Sequence, residues 1–195
     1  MLIELIRHGS TAGNLEHRYV GSTDEPLMPE TIQELEKRRG SFPVPDLLIV
    51  SPMKRCIQTA EGLFPGLEKI IVPELRECDF GEFEYKNYKE LQDDERYQTW
   101  IDSNGTIAFP GGESREAFIK RCSAAFSDVC EKARKDGCES AAFVVHGGTI
   151  MAILDQFAEP HKDYFEWQVK NLEGFEGILL EEHGRIKITE IKDKK

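Results

Sequence analysis

Two apolar stretches of this chain end in the same chemistry. Leu2–Ile6 runs into Arg7-His8-Gly9, and Ala141–Val145 runs into His146-Gly147-Gly148. A guanidinium and an imidazole are poor choices for a core, and the glycine after each histidine permits a sharp turn. Each stretch has the length of a buried strand. Ligands of open α/β sheets sit outside the carboxyl ends of the strands. If these two strands are parallel neighbours, His8 and His146 meet at one rim. A third group joins them. Asp46–Val50 reads as a strand, and Ser51-Pro52 as a helix start with Ser51 as N-cap and Pro52 in the first turn. Arg55 then falls at the beginning of a helix over Met53–Leu63. A cation there opposes the helix dipole, and an anion bound between the two would explain it.

Arg7, Arg55, His8 and His146 together form a set of fork donors and imidazoles suited to a tetrahedral phosphoryl group. A neutral histidine can attack phosphorus and split the transfer into two steps. The departing oxygen then needs a proton. Glu74, Glu77, Asp79, Glu82 and Glu84 all stand near the rim, and spacing does not choose among them. Rival chemistries lack their residues. No cysteine has Arg six positions on, no Asp-x-Asp nucleophile occurs, and neither a P-loop nor a G-x-S-x-G elbow is present. No histidines and carboxylates stand at metal-ligand spacing, so no metal and no cofactor are expected.

The elements that must position these groups alternate between strand and helix, the pattern of a layered α/β fold. A polar loop over residues 16–29 precedes a short helix at Thr31–Arg39. Lys69–Val72 is a third strand. Residues 74–112 are irregular and rich in aromatics, and read as a partly helical excursion over the sheet edge. A helix opens near Gly112-Glu113-Ser114 and runs to about Lys135, and a further helix covers Thr149–Phe157. Phe175–Glu181 and Arg185–Ile191 form a terminal antiparallel hairpin turning at His183-Gly184, with Lys192–Lys195 fraying beyond it.

The 195 residues fit one domain, 1–195, with a substantial core. No apolar run approaches the length of a transmembrane helix, and Met1 leads straight into the first strand without the pattern of a signal peptide. A cytoplasmic location is expected. The net charge of −11 argues against nucleic acid or an anionic membrane as partner. Local arginines still allow a small anionic ligand. The five cysteines are odd in number and lack a C-x-x-C pair, so they read as reduced structural thiols.

Five motifs in order resemble the histidine phosphatase (phosphoglycerate mutase-like) superfamily. They are Arg7-His8-Gly9-Ser10-Thr11 with Asn14; Ser51-Pro52-x-x-Arg55-x-x-Gln58-Thr59-Ala60; Leu75-x-Glu77-x-x-Phe80-Gly81-x-Phe83-Glu84; Pro110-Gly111-Gly112-Glu113-Ser114; and Val145-His146-Gly147-Gly148. The resemblance implies a three-layer α/β/α sandwich with a mostly parallel sheet. It implies His8 as the nucleophile that becomes phosphohistidine, and Arg7, Arg55 and His146 as the rest of the phosphate pocket. It implies Glu77 as proton donor, and Asn14, Ser10, Thr11, Gly21 and Gly147 as substrate contacts. The chain departs from the family pattern at Ser10, Thr31, Tyr85 and Met151, which bears on the substrate. Its length fits the phosphatase branch, and Tyr19–Leu27 is similar to the corresponding stretch of α-ribazole phosphatases. The expected activity is hydrolysis of a small phosphorylated metabolite, with α-ribazole 5′-phosphate or a broad range as substrate. The alternatives are a bisphosphoglycerate-dependent mutase and an idle phospho-ligand binder. The chain is expected to be a monomer or a dimer.

Overall fold

The computed structural model describes residues 1–195. Its centre is a six-stranded sheet made of β1 (Leu2–Arg7), β2 (Leu47–Val50), β3 (Lys69–Ile71), β4 (Ser140–Val145), β5 (Gly174–Glu182) and β6 (Arg185–Lys194). The strand order is β3-β2-β4-β1-β5-β6. Strands β1 to β4 are parallel, and β5 and β6 form an antiparallel hairpin against β1. The helices are α1 (Ala12–Leu15), α2 (Pro29–Arg38), α3 (Lys54–Leu63), α4 (Tyr88–Leu91), α5 (Glu95–Asp102), α6 (Arg115–Lys135) and α7 (Gly147–Phe157).

Alternation along the strands builds a layer on each face. Ile3, Leu5, Ala141, Phe143 and Val145 pack with Phe126 and Cys130 of α6 and with Ile150, Ile153 and Leu154 of α7. Ile6, Leu48, Val50, Ala142 and Val144 face the other way, onto Leu35 of α2 and Cys56, Ala60 and Leu63 of α3. The result is an α/β/α sandwich with a mostly parallel sheet. A third cluster sits beside it. Cys78, Phe83, Leu91, Tyr97 and Phe109 from the irregular stretch pack on Phe118 and Cys122 of α6.

Register places the chemistry. In the β1–β4 ladder Arg7 lies opposite Val145, so the next residue on each strand is a histidine. Val50 pairs with Val144 one strand further over, which brings Ser51 to the same level. The carboxyl ends of three neighbouring strands therefore carry His8, His146 and Ser51.

Three local expectations are corrected. Ser51 does not cap α3. The helix begins at Lys54, and the acceptor for the Lys54 amide is the Asp24 carboxylate, 2.7 Å away, supplied by the polar loop. The helix expected over Thr149–Phe157 starts earlier, at Gly147, with His146 at its N-cap position. The tail does not fray after Ile191. Strand β6 continues to Lys194, whose ammonium lies 2.8 Å from Glu176, an ion pair that charge patterning along one strand does not reveal.

Candidate active site

His8 is buried, 3% exposed, at the exit of β1. Its Nδ1 lies 2.7 Å from the carbonyl oxygen of Gly9. A carbonyl only accepts, so Nδ1 carries the hydrogen and Nε2 keeps its lone pair. The turn is held from α3. Thr59 Oγ1 accepts from the Gly9 amide at 2.9 Å and donates to the Arg55 carbonyl at 2.6 Å. Burial, then the charges of Arg55 and Arg7, hold the His8 pKa well below its ordinary value. The ring is therefore neutral, the state a nucleophile requires.

The His146 ring meets that of His8 edge-on, with centroids 5.2 Å apart. Arg55 Nε donates to His146 Nδ1 at 3.3 Å, and Ser51 Oγ stands 2.6 Å from Nε2. A guanidinium cannot accept, so Nδ1 is the acceptor and Nε2–H donates to Ser51. Ser51 thus serves His146 rather than a helix end. Cys56 Sγ closes the ring in, 3.6 Å from Nε2, and burial pushes its thiol pKa up to about 12. Burial and the neighbouring Arg55 hold His146 neutral as well.

Both arginines are enclosed. Arg55 is fully buried and donates to the carbonyls of Thr23, Val20 and Gly21. Arg7 donates from Nη1 to the Val169 carbonyl at 2.6 Å, while its buried Nε has no partner. An unpaired buried donor costs about 1–3 kcal/mol. Gly147 stands close by, since a Cβ there would lie 3.4 Å from that nitrogen. Gly147 opens α7, whose first amides are free of any cap from His146. A free guanidinium N–H beside a helix N-terminus is a setting for an oxyanion.

Glu77 reaches the same place from the irregular stretch. Its carboxylate accepts from the amides of Cys78 at 2.9 Å and Gly148 at 3.1 Å, so it caps α7 from outside. Only a glycine tolerates this, because a Cβ on residue 148 would stand 2.3 Å from Glu77 Oε1. Burial raises the Glu77 pKa, against the two amides and the charges of Arg55 and Arg7. A carboxyl held above its usual range can give up a proton near neutrality.

The expected substrate contacts divide. Asn14 and Gly147 line a cleft of about 960 Å³ that also exposes Arg7 and Glu77. Thr11 and Gly21 do not reach its wall. Thr11 is fully buried as a helix cap. Gly21 is packed so closely that a Cβ would fall 2.0 Å from the Cys78 carbonyl. Ser10 contributes its carbonyl, which accepts from the Thr31 hydroxyl at 3.1 Å.

Sequence reading misses the segment after α7. Asn171 Nδ2 donates to the His8 carbonyl at 2.9 Å and to Asn14 Oδ1 at 3.1 Å, and Val169 supplies the carbonyl for Arg7. Tyr164 lines the cleft nearby. No local pattern announces these residues, since two of the three contacts use main-chain oxygens. Aromatic rings of Tyr19, Phe80, Trp100 and Phe109 also line the cleft.

Comparison with known proteins bears on the family and the fold. The model of the histidine phosphatase superfamily, branch 1, matches residues 3–192. The adenosylcobalamin/α-ribazole phosphatase of Salmonella typhimurium is 27% identical over 169 residues, spanning 79% of this chain and 78% of that protein. The solved structure of the α-ribazole phosphatase from Shigella flexneri shares the fold, with a TM-score of 0.77 at 23% identity over 96% of this chain and 94% of that one. The phosphoglycerate mutase from Thermus thermophilus aligns with a TM-score of 0.72 at 28% identity, over 100% of this chain and 99% of that one. The chain belongs to branch 1 of the histidine phosphatase superfamily, and its chemistry is that of a phosphatase.

Proposed function

We propose that His8 is the nucleophile, Glu77 the proton donor, and Arg7, Arg55 and His146 the phosphate pocket of a phosphomonoesterase. His8 Nε2 attacks phosphorus and forms a phosphorus–nitrogen bond as the ester bond breaks. Glu77 gives its proton to the departing alcohol oxygen. Water then attacks the phosphohistidine, Glu77 takes the water's proton, and inorganic phosphate leaves. Asn14 and the Gly147 amide complete the substrate contacts.

The observation that carries this reading is the His8 ring, neutral and with Nδ1 committed to Gly9, beside a buried Arg7 Nε that lacks an acceptor. The substrate we propose is α-ribazole 5′-phosphate. The name of the Salmonella relative supports it, as does the cleft, whose ring-lined wall suits an aromatic leaving group. Glycerate phosphates are the second reading, supported by the likeness to the Thermus thermophilus mutase.

The test is turnover of a panel containing α-ribazole 5′-phosphate, p-nitrophenyl phosphate and 3-phosphoglycerate, the last with and without 2,3-bisphosphoglycerate. Phosphate release from the first two, with an acid-labile label trapped on His8, is expected. Interconversion of phosphoglycerates without release would replace the hydrolase reading by the mutase. Tight phosphate binding without turnover of any member would reduce the chain to a binder.

A further inference from the structure

The motif Pro110-Gly111-Gly112-Glu113-Ser114 contributes no group to the chemistry above, yet Glu113 is one of the least exposed carboxylates near the site. It forms a two-point ion pair with Arg121 of α6. Arg121 Nε donates to Glu113 Oε1 at 2.8 Å, and Nη2 donates to Oε2 at 2.7 Å. The side chains are only 14% and 18% exposed. A fork–fork pair of this kind fixes direction as well as distance.

The remaining hydrogens of Arg121 go to one short piece of chain. Nη1 donates to the carbonyls of Glu74 and Arg76, and Nη2 donates to the carbonyl of Glu77 at 3.4 Å. Glu113 holds the chain two residues further on from the other side. Its Oε2 accepts from the Asp79 amide at 3.2 Å, and its own amide donates to the Asp79 carbonyl at 2.9 Å. Residues 74–79 are therefore gripped at four main-chain carbonyls and one amide by this single pair. That stretch contains no strand and only a single 3₁₀ turn, Pro73–Leu75, so it has little secondary structure to hold it.

From this geometry we infer that Arg121 and Glu113 are positioning residues that aim the Glu77 carboxyl at the leaving group. The inference rests on Glu77 being the donor. It also explains the choice of arginine, because a lysine cannot span a carboxylate and three carbonyls at fixed angles.

The test uses two substrates that differ by one nitro group. Nitrophenolate departs readily without a proton, whereas the oxygen of phenyl phosphate needs one. A misplaced acid therefore slows phenyl phosphate selectively. Arg121→Lys and Glu113→Gln are expected to lose about tenfold more kcat/KM, which reports the step that expels the alcohol, on phenyl phosphate than on p-nitrophenyl phosphate, a part of the roughly 10²–10⁴-fold that general acid catalysis supplies. The ratio of the two rates is independent of how much variant folds. Glu77→Gln should show the same selectivity, and Arg121→Lys added to it should change the ratio no further. Equal slowing of both substrates by Arg121→Lys and Glu113→Gln, with Glu77→Gln still selective, would overturn the positioning role alone. An unchanged ratio in Glu77→Gln would overturn the donor assignment and this inference with it.

Discussion

The buried floor of the site and the walls of the cleft beside it are made from different kinds of chain. The floor, His8, Ser51 and His146, sits at the ends of neighbouring strands whose register leaves no freedom. Each of its side chains is at most 3% exposed, and their hydrogen bonds run among themselves, to Arg55 and to nearby carbonyls. Much of the walls comes from residues 74–112 and 159–171, which hold only short helices and turns. They are kept in place by side chains gripping main chain, as Arg121 grips residues 74–77 and Asn171 grips His8. A floor of this kind suits one fixed task, holding and transferring a phosphoryl group. Walls of the second kind can vary in shape without disturbing it, which is where a choice among alcohols belongs.

If that division is right, the largest effects belong to the floor and act on every substrate. His8→Ala should lower kcat/KM about 10⁴-fold or more for all esters alike, the scale seen when a covalent route loses its nucleophile. Steady-state assays of the panel check this, and a loss confined to one substrate would break the comparison. Glu77→Gln comes next. It should cost about 10²–10³-fold on phenyl phosphate and much less on p-nitrophenyl phosphate. The pH profile carries the sign. In the proposed mechanism His8 acts neutral, and its pKa is lowered, so activity falls only when pH drops below the ordinary histidine range. Glu77 acts protonated, and its pKa is raised, so activity falls as pH rises through that raised value. Removing the Glu77 carboxyl should flatten the alkaline limb of kcat/KM and leave the acid limb in place.

The same division explains what the sequence discloses. His8, His146 and Arg55 follow apolar runs at strand ends, so periodicity alone brings them to one rim, and a fixed ladder makes the inference safe. Ser51 reads as a helix start and is not one, because its hydroxyl has a partner 95 residues away and the cap comes instead from Asp24 in a loop. Glu77 stands among five acids of similar spacing. What distinguishes it is burial beside α7 and the Gly148 amide, neither of which leaves a local trace. Asn171 and Val169 are invisible for the same reason. Val169 acts through its main-chain oxygen, which does not depend on residue type, and Asn171 reaches across 163 residues to the His8 carbonyl, so no local pattern records either.

Ser51→Ala tests the floor at its least obvious member. The hydroxyl fixes the His146 ring and its Nε2–H tautomer through a 2.6 Å hydrogen bond. A buried hydrogen bond contributes about 0.5–1.5 kcal/mol net. The variant should therefore lose up to about tenfold in kcat, with KM little changed. Nitrogen-15 spectra of labelled histidine should show the His146 tautomer becoming mixed, and Ser51→Thr should restore it. A tautomer unchanged in Ser51→Ala would remove Ser51 from the floor.

The most selective expected effect belongs to the wall, and it sharpens the comparison most. Trp100 stacks on Phe109, with ring centroids 4.8 Å apart, and faces the cleft from α5. Its indole nitrogen is buried and has no hydrogen-bond partner. The ring therefore offers an apolar surface to whatever the phosphate is attached to. Trp100→Leu removes the ring and keeps most of the apolar volume. Stacking of a heterocycle on an aromatic side chain is worth about 1–3 kcal/mol, so KM for α-ribazole 5′-phosphate should rise by roughly tenfold. KM for glycerol 3-phosphate, which has no ring to stack, should stay where it is, and kcat should hold for both. A wall that only selects the alcohol must behave in this way, because it touches neither the phosphorus nor the proton. If Trp100→Leu instead lowers kcat on both esters, the wall shares in the chemistry and the separation from the floor fails.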